Sequence, residues 1–287
     1  MTNGIDRPRT HSPAWLVIAC AIGLLIGASP AMAAEDASRW DGDARSSVRL
    51  IAGSQAAGGG LIRAGIEVKL KPGWHTYWRY PGDAGVPPRF DFQASQNVKA
   101  IEVLWPAPQR IPEAGMIAIG YVSDVILPLH ITPQDRAKPV TLRLKLDYAV
   151  CEKLCVPAEA KAELVLAGGT SSQDAALAGA EGRVPKKVAL GEGSKLVIRS
   201  VRRDDGATPP RVIVDVAGPA GADLLAEGPT PDWALPLPAL VAGAPAGSQR
   251  FAFALDGAPP GAKYQGAQLT LTAIAGQDAI EVVTRLD

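Results

Sequence analysis

Cysteine is scarce in this chain, and so is any excess of charge. Among 287 residues there are three cysteines, and 29 basic side chains stand against 29 acidic ones. A nucleic-acid binder normally carries a basic excess or a basic stripe, so that class is excluded. With 47% hydrophobic residues, the chain is also too apolar for a disordered charged tail. No long amphipathic helix pattern appears. No Ser/His/Asp spacing, glycine-rich phosphate loop, paired-carboxylate motif or C-x-x-C rises above background, and no flavin or nicotinamide signature is present. No cofactor is expected. What is plentiful is glycine, at 30, and proline, at 25, the punctuation of short strands and turns.

The amino terminus reads as a secretory leader. Arg7 and Arg9 precede Ala14–Ile26, an apolar run of thirteen residues, and Ala31-Met32-Ala33 supplies a small-residue cleavage site. The run is short of the roughly 20 residues a spanning helix needs. Val17-Ile18-Ala19-Cys20 loosely resembles a lipoprotein box, but it sits inside the run rather than at its end. Cleavage after Ala33 is expected, leaving a nearly neutral secreted chain that begins at Ala34 and does not span a membrane. Two cysteines then remain, Cys151 and Cys155, in a compartment where disulfides persist.

Past the leader, the period-2 signal dominates. Val140, Leu142, Leu144, Leu146, Tyr148 and Val150 alternate with mostly polar residues, predicting a half-buried strand. Ile66, Val68 and Leu70 alternate likewise, and shorter runs at 101–104, 125–131 and 162–166 predict further strands. Pro128 inside one of them suggests an edge strand or a bulge. Composition shifts at Gly168-Gly169-Thr170-Ser171, and strand patterns resume around Val212–Val216, Phe251–Leu255, Leu269–Leu271 and Ile280–Val282. The reading is all-β: an immunoglobulin-like β-sandwich with a second, smaller β-rich domain. The boundaries are a signal peptide at 1–33, a first domain at 34–168, a linker at 169–188 with a short helix near Asp174–Glu181, and a second β-sandwich-like domain at 189–287. Most aromatics and both cysteines lie in the first domain, so any active site is expected there.

Cys151-Glu152-Lys153-Leu154-Cys155 follows the strongest strand directly. Fully extended, the two Cα atoms would stand roughly 13 Å apart, whereas a disulfide needs about 4.4–6.8 Å. The chain must turn between them, and Pro157 with the residues after it suggests a second strand leaving a hairpin tip. With no third cysteine left after processing, a mutual disulfide is expected. So short a loop removes only about 2 kcal/mol of unfolded-chain entropy. Replacing both cysteines by serine should therefore cost about 2 kcal/mol or less in denaturant melts, and outright unfolding of that variant would mark the bond as a staple. A short exposed ring is better suited to opening and closing, and Lys153 could favour a thiolate if its ammonium approaches a sulfur. A structural staple and a metal site remain the alternatives. For the latter, His75, His130 and Met116 lie at no short ligand spacing from the cysteines, and no metal is expected.

Four motifs follow one another in order: Gly73-Trp-His-Thr-Tyr-Trp-Arg-Tyr-Pro-Gly-Asp-Ala-Gly-Val-Pro-Pro88, Leu104-Trp-Pro-Ala-Pro108, Ile119-Gly-Tyr121, and Leu146-Asp-Tyr-Ala-Val-Cys-Glu-Lys-Leu-Cys-Val-Pro157. Over roughly residues 45–168 the chain resembles the amino-terminal periplasmic domain of the DsbD and ScsB thiol–disulfide reductases. It is nearer the ScsB-like branch, since DsbD-type cysteines lie further apart and their aromatic cap loop is not matched. The resemblance implies an immunoglobulin-like fold and a redox-active pair at Cys151 and Cys155. It also implies electrons taken from a membrane-embedded thiol reductase and passed to periplasmic disulfide-containing proteins. The membrane and thioredoxin-like domains of full-length members do not follow here, so the expectation is a stand-alone form. Two rivals accompany it: a non-enzymatic immunoglobulin-like binding module with a structural disulfide, and a copper-handling protein, since ScsB-like proteins are associated with copper tolerance. The aromatic segment Trp74–Tyr80 and the loop near Met116–Tyr121 are expected to pack beside the cysteine turn and shield it.

Overall fold

Alternating apolar side chains produce strands here almost without exception. The computed structural model describes residues 1–4, 35–54, 60–83 and 85–287, so the expected leader from residue 5 onward and its cleavage site lie outside the described residues. The first eleven strands are β1 (Asp41–Gly42), β2 (Ser46–Ala52), β3 (Ile62–Leu70), β4 (His75–Gly82), β5 (Arg89–Asp91), β6 (Val98–Val103), β7 (Gln109–Glu113), β8 (Met116–Tyr121), β9 (Val125–Pro133), β10 (Val140–Cys151) and β11 (Cys155–Leu166). They form two sheets, ordered β1-β2-β3-β9-β6 and β11-β10-β4-β8-β7, with β5 added against β10. The inward residues of β10, from Val140 to Val150, are all buried, and they meet Leu50, Ile66, Leu129 and Ile131 of the opposite sheet in one core. Each such aliphatic contributes about 1.5–3 kcal/mol through burial.

One expectation is corrected. β9 pairs with β3 on one side and β6 on the other, so Pro128 is on an interior strand. Its carbonyl accepts the Leu104 N–H at 2.8 Å, one residue past the end of β6. The missing proline N–H falls just beyond the last β6–β9 rung, Val103↔Leu129, at the end of that ladder, where a lost donor disturbs the sheet least.

The segment 169–188 carries α1 (Asp174–Glu181), where the sequence predicts a short helix, and then β12 (Lys186–Lys187). The helix is fastened to the first sandwich. Leu177 is fully buried against Gly53 and Gly65, whose missing side chains leave the space it fills. Arg63 donates two hydrogen bonds of 2.8 Å to Glu181.

The second sandwich comprises β13 (Val197–Asp204), β14 (Arg211–Ala217), β15 (Asp223–Glu227), β16 (Ala239–Val241), β17 (Ser248–Ala254), β18 (Gln268–Ala275) and β19 (Asp278–Arg285). Its sheets run β12-β19-β18-β15 and β13-β14-β17-β16, around Val214, Phe251, Leu271 and Val282. It leans on the first through Leu225, which joins the first core. Arg79 of β4 donates to Glu227 and Glu281. Arg110 of β7 donates to Asp223 and to the carbonyls of Leu224 and Pro238. The strands so braced, β4 and β7, are the ones that flank the cysteines. Among the described residues, no helix is long and apolar enough to cross a membrane.

Candidate functional site

The β10–β11 hairpin runs in unbroken register from Val140↔Leu166 to Cys151↔Cys155. Glu152, Lys153 and Leu154 form its tip. The two cysteines face each other across its last rung, with Cα atoms 4.2 Å apart, and are joined by a disulfide. Their surroundings differ. Cys151 is 1% exposed, in a small apolar cluster with Tyr77, Ile111, Ala118 and Ala149. Cys155 is exposed.

Two neighbouring strands bring side chains to the sulfurs. β4 pairs with the end of β10, setting Cys151 opposite His75. Two residues on, the Tyr77 hydroxyl lies 2.7 Å from Cys151 Sγ and 3.1 Å from Cys155 Sγ. β7 and β8 form a hairpin whose last rung is Glu113↔Met116. Ala114 and Gly115 make its two-residue turn with φ of 49° and 85°, the left-handed pair of a type I′ turn. For Ala114 that conformation costs roughly 1–2 kcal/mol, and the β7–β8 register closed by the turn sets Glu113 beside the pair. Glu113 Oε1 is 2.7 Å from Cys155 Sγ. In the disulfide that sulfur carries no proton, so the contact becomes a hydrogen bond once the thiol forms and its S–H donates. Glu113 also accepts from Tyr77 at 3.2 Å, and its Oε2 stands 3.3 Å from His75 Nε2.

Burial, reinforced by the Glu113 charge and hydrogen bond, pushes the Tyr77 phenol far above its ordinary range. Burial and then Asp83 and Glu227 push Tyr80 up to about 12, and full burial raises Tyr121 strongly. These phenols keep their protons in the folded state, while the unfolded chain loses them near pH 10. Their stabilising contribution is therefore complete below about pH 10 and is lost as pH rises toward and beyond 12. Melting temperature should fall over that interval, with phenolate absorbance of the folded protein lagging that of the denatured protein. Coincident titrations would contradict the burial.

The expected site residues meet as a pair, and part of their setting differs from expectation. The contact at Cys155 is the Glu113 carboxylate rather than the Lys153 ammonium. Of the segment Trp74–Tyr80, His75 and Tyr77 reach the pair, whereas Trp78 is fully buried in the main core. Met116–Tyr121 is a strand rather than a loop, and Tyr121 points into the core, its hydroxyl donating to the Pro106 carbonyl at 2.8 Å. His130 lies on the other sheet, near Glu181. Glu113 was not singled out by sequence; the signal that marks it is Pro112-Glu113-Ala114-Gly115, a turn motif between two short apolar runs.

A sequence model of the family "Thiol:disulfide interchange protein DsbD, N-terminal" matches residues 47–167. The crystal structure of the N-terminal periplasmic domain of ScsB from Proteus mirabilis superposes with a TM-score of 0.67. That likeness spans 88% of this chain and 98% of that one at 20% identity, a level that establishes the fold. No curated protein sequence matches significantly. With the hairpin-end cysteine pair, the family match supports a thiol–disulfide exchange domain of the DsbD amino-terminal type over residues 47–167.

Proposed function

We propose that the first domain, residues 34–168, is a periplasmic protein-disulfide reductase module working through Cys151 and Cys155. The observation that carries this reading is the asymmetry of the pair: one sulfur buried beneath Tyr77, the other exposed beside a carboxylate. In the reduced protein, the Cys155 thiolate attacks a substrate disulfide. The substrate S–S bond breaks, a mixed disulfide forms, and one substrate sulfur leaves and takes a proton. Cys151 then attacks Cys155 Sγ, releasing the second substrate thiol and restoring the Cys151–Cys155 bond. Two electrons pass to the substrate in each cycle. They are replaced by a membrane-embedded dithiol protein that attacks the exposed sulfur. This partner is the one the family reading supplies, since the chain carries no recognisable electron source of its own. Leu154 at the tip, 79% exposed, and Met116 opposite Glu113 offer apolar contact beside the sulfurs.

Glu113 sets the reactivity of the exposed sulfur. Its carboxylate opposes a second negative charge at 2.7 Å and accepts a hydrogen bond from the thiol, both of which favour the protonated sulfur. Reduced Glu113→Gln should accordingly react with iodoacetamide near neutral pH about tenfold faster than wild type. An unchanged rate would remove Glu113 from the mechanism, and a slower one would reverse its role. Equilibration against glutathione or dithiothreitol tests the function itself. An exchanging pair should titrate above about −300 mV, and a structural disulfide below it.

A further inference from the structure

We propose that, once reduced, the pair forms a zinc-binding site with His75 and Glu113. A ring nitrogen of His75, a carboxylate oxygen of Glu113 and Cys151 Sγ all lie within 4.8 Å of one another, and Glu113 Oε1 touches Cys155 Sγ at 2.7 Å. The four donors come from the ends of β4, β7, β10 and β11, rungs of a hydrogen-bonded sheet rather than free loops. In a tetrahedral zinc site, bonds of about 2.3 Å to sulfur and 2.0–2.2 Å to nitrogen or oxygen place neighbouring donors roughly 3.3–3.8 Å apart. The His75–Glu113 separation of 3.3 Å already fits. Opening the disulfide lets the two sulfurs part to such a distance.

The donor chemistry selects the ion. Two thiolates exclude magnesium and calcium, which take oxygen ligands. An imidazole and a carboxylate beside them suit borderline Zn2+ better than a purely soft cation. The Tyr77 hydroxyl now stands where these groups converge, 2.7 and 3.1 Å from the sulfurs and 3.2 Å from Glu113. It must swing aside, and is a competitor of the ion rather than a ligand.

Binding exchanges one Zn2+ for the two thiol protons, released to solvent, and moves no electrons. The two electrons that open the disulfide come beforehand from the dithiol donor of the exchange cycle, so the inference rests on that pair being reducible. A zinc-bound pair has no free thiolate, so metal binding and disulfide exchange exclude each other at one site.

The test uses the whole protein, reduced with a phosphine, freed of reductant under anaerobic conditions and titrated with Co2+ as the spectroscopic stand-in, followed by Zn2+. One equivalent should produce thiolate-to-cobalt charge transfer and tetrahedral d–d bands, release two protons, and be displaced by Zn2+. The disulfide form should give no bands. His75→Ala and Glu113→Gln should each weaken binding by at least about tenfold, the loss seen even for groups that only support a ligand. Tyr77→Phe should bind at least as tightly as wild type. Two titratable thiols without the cobalt bands would overturn the metal site while leaving disulfide exchange intact. So would binding indifferent to both the His75 and Glu113 variants, or binding abolished in Tyr77→Phe.

Discussion

A Cys151→Ser variant should accumulate long-lived mixed disulfides with its substrates and lose catalytic turnover, whereas Cys155→Ser should lose turnover and trap little. The difference follows from burial. Cys155 is exposed at the hairpin end, while Cys151 is 1% exposed beneath the Tyr77 ring and the side chains of Ile111 and Ala118. A substrate disulfide therefore meets Cys155 first. Without Cys151 no neighbouring thiolate can attack the Cys155–substrate bond, so the intermediate persists until an outside thiol cleaves it. Non-reducing electrophoresis of tagged variants, with mass spectrometry of the cross-linked peptides, reads the outcome. Trapping by Cys155→Ser alone would reverse the assignment of attacking and resolving sulfurs, and equal trapping by both variants would abolish it.

Gly120→Ala should be among the most damaging single substitutions outside the cysteines. Gly120 of β8 lies opposite Tyr77 of β4. A Cβ added there would sit 2.0 Å from the Thr76 carbonyl oxygen and 3.0 Å from Tyr77 Cα. Both obstacles are backbone, and the Thr76 side chain is tied to the Ala149 carbonyl at 2.9 Å. Relief requires β4 and β8 to part, at a cost of about 3 kcal/mol. At roughly 2–4 °C per kcal/mol for a chain of this size, the melting temperature should drop by about 10 °C. Because Tyr77 moves with β4, the rate of thiol alkylation should change in the same variant. Gly179→Ala in α1, where a Cβ meets nothing within 4 Å, serves as the control and should be neutral or stabilising by up to about 1 kcal/mol. A Gly120→Ala protein as stable as wild type would mean that the β4–β8 approach is looser than described.

The sequence made β10 legible because one of its faces is buried and the other is not, which is the condition for a period-2 pattern. The same held for β3, β9 and several strands of the second sandwich. β4 hides that pattern: His75 to Trp78 are all buried, since both faces of the strand are covered there, and the run reads as an aromatic motif rather than a strand. The cysteine hairpin could be placed from chain geometry alone. Glu113 could not, because it lies 42 residues from Cys155 and reaches it only through the register of β7 and β8. Nor could the bracing of β4 and β7 by Arg79 and Arg110, whose partners lie more than a hundred residues away. Local pattern reports local burial; contacts between sheets are set by topology.

The redox state of the Cys151–Cys155 pair inside cells tests the central claim most directly. Acid quenching followed by alkylation with a mass-tagged maleimide separates dithiol from disulfide. The exchange cycle predicts a pair at least partly reduced in an otherwise oxidising compartment, and fully oxidised when the membrane dithiol donor is deleted. A pair that is fully oxidised whether or not that donor is present would contradict the reductase reading, leaving Cys151–Cys155 as the structural bond of a binding module.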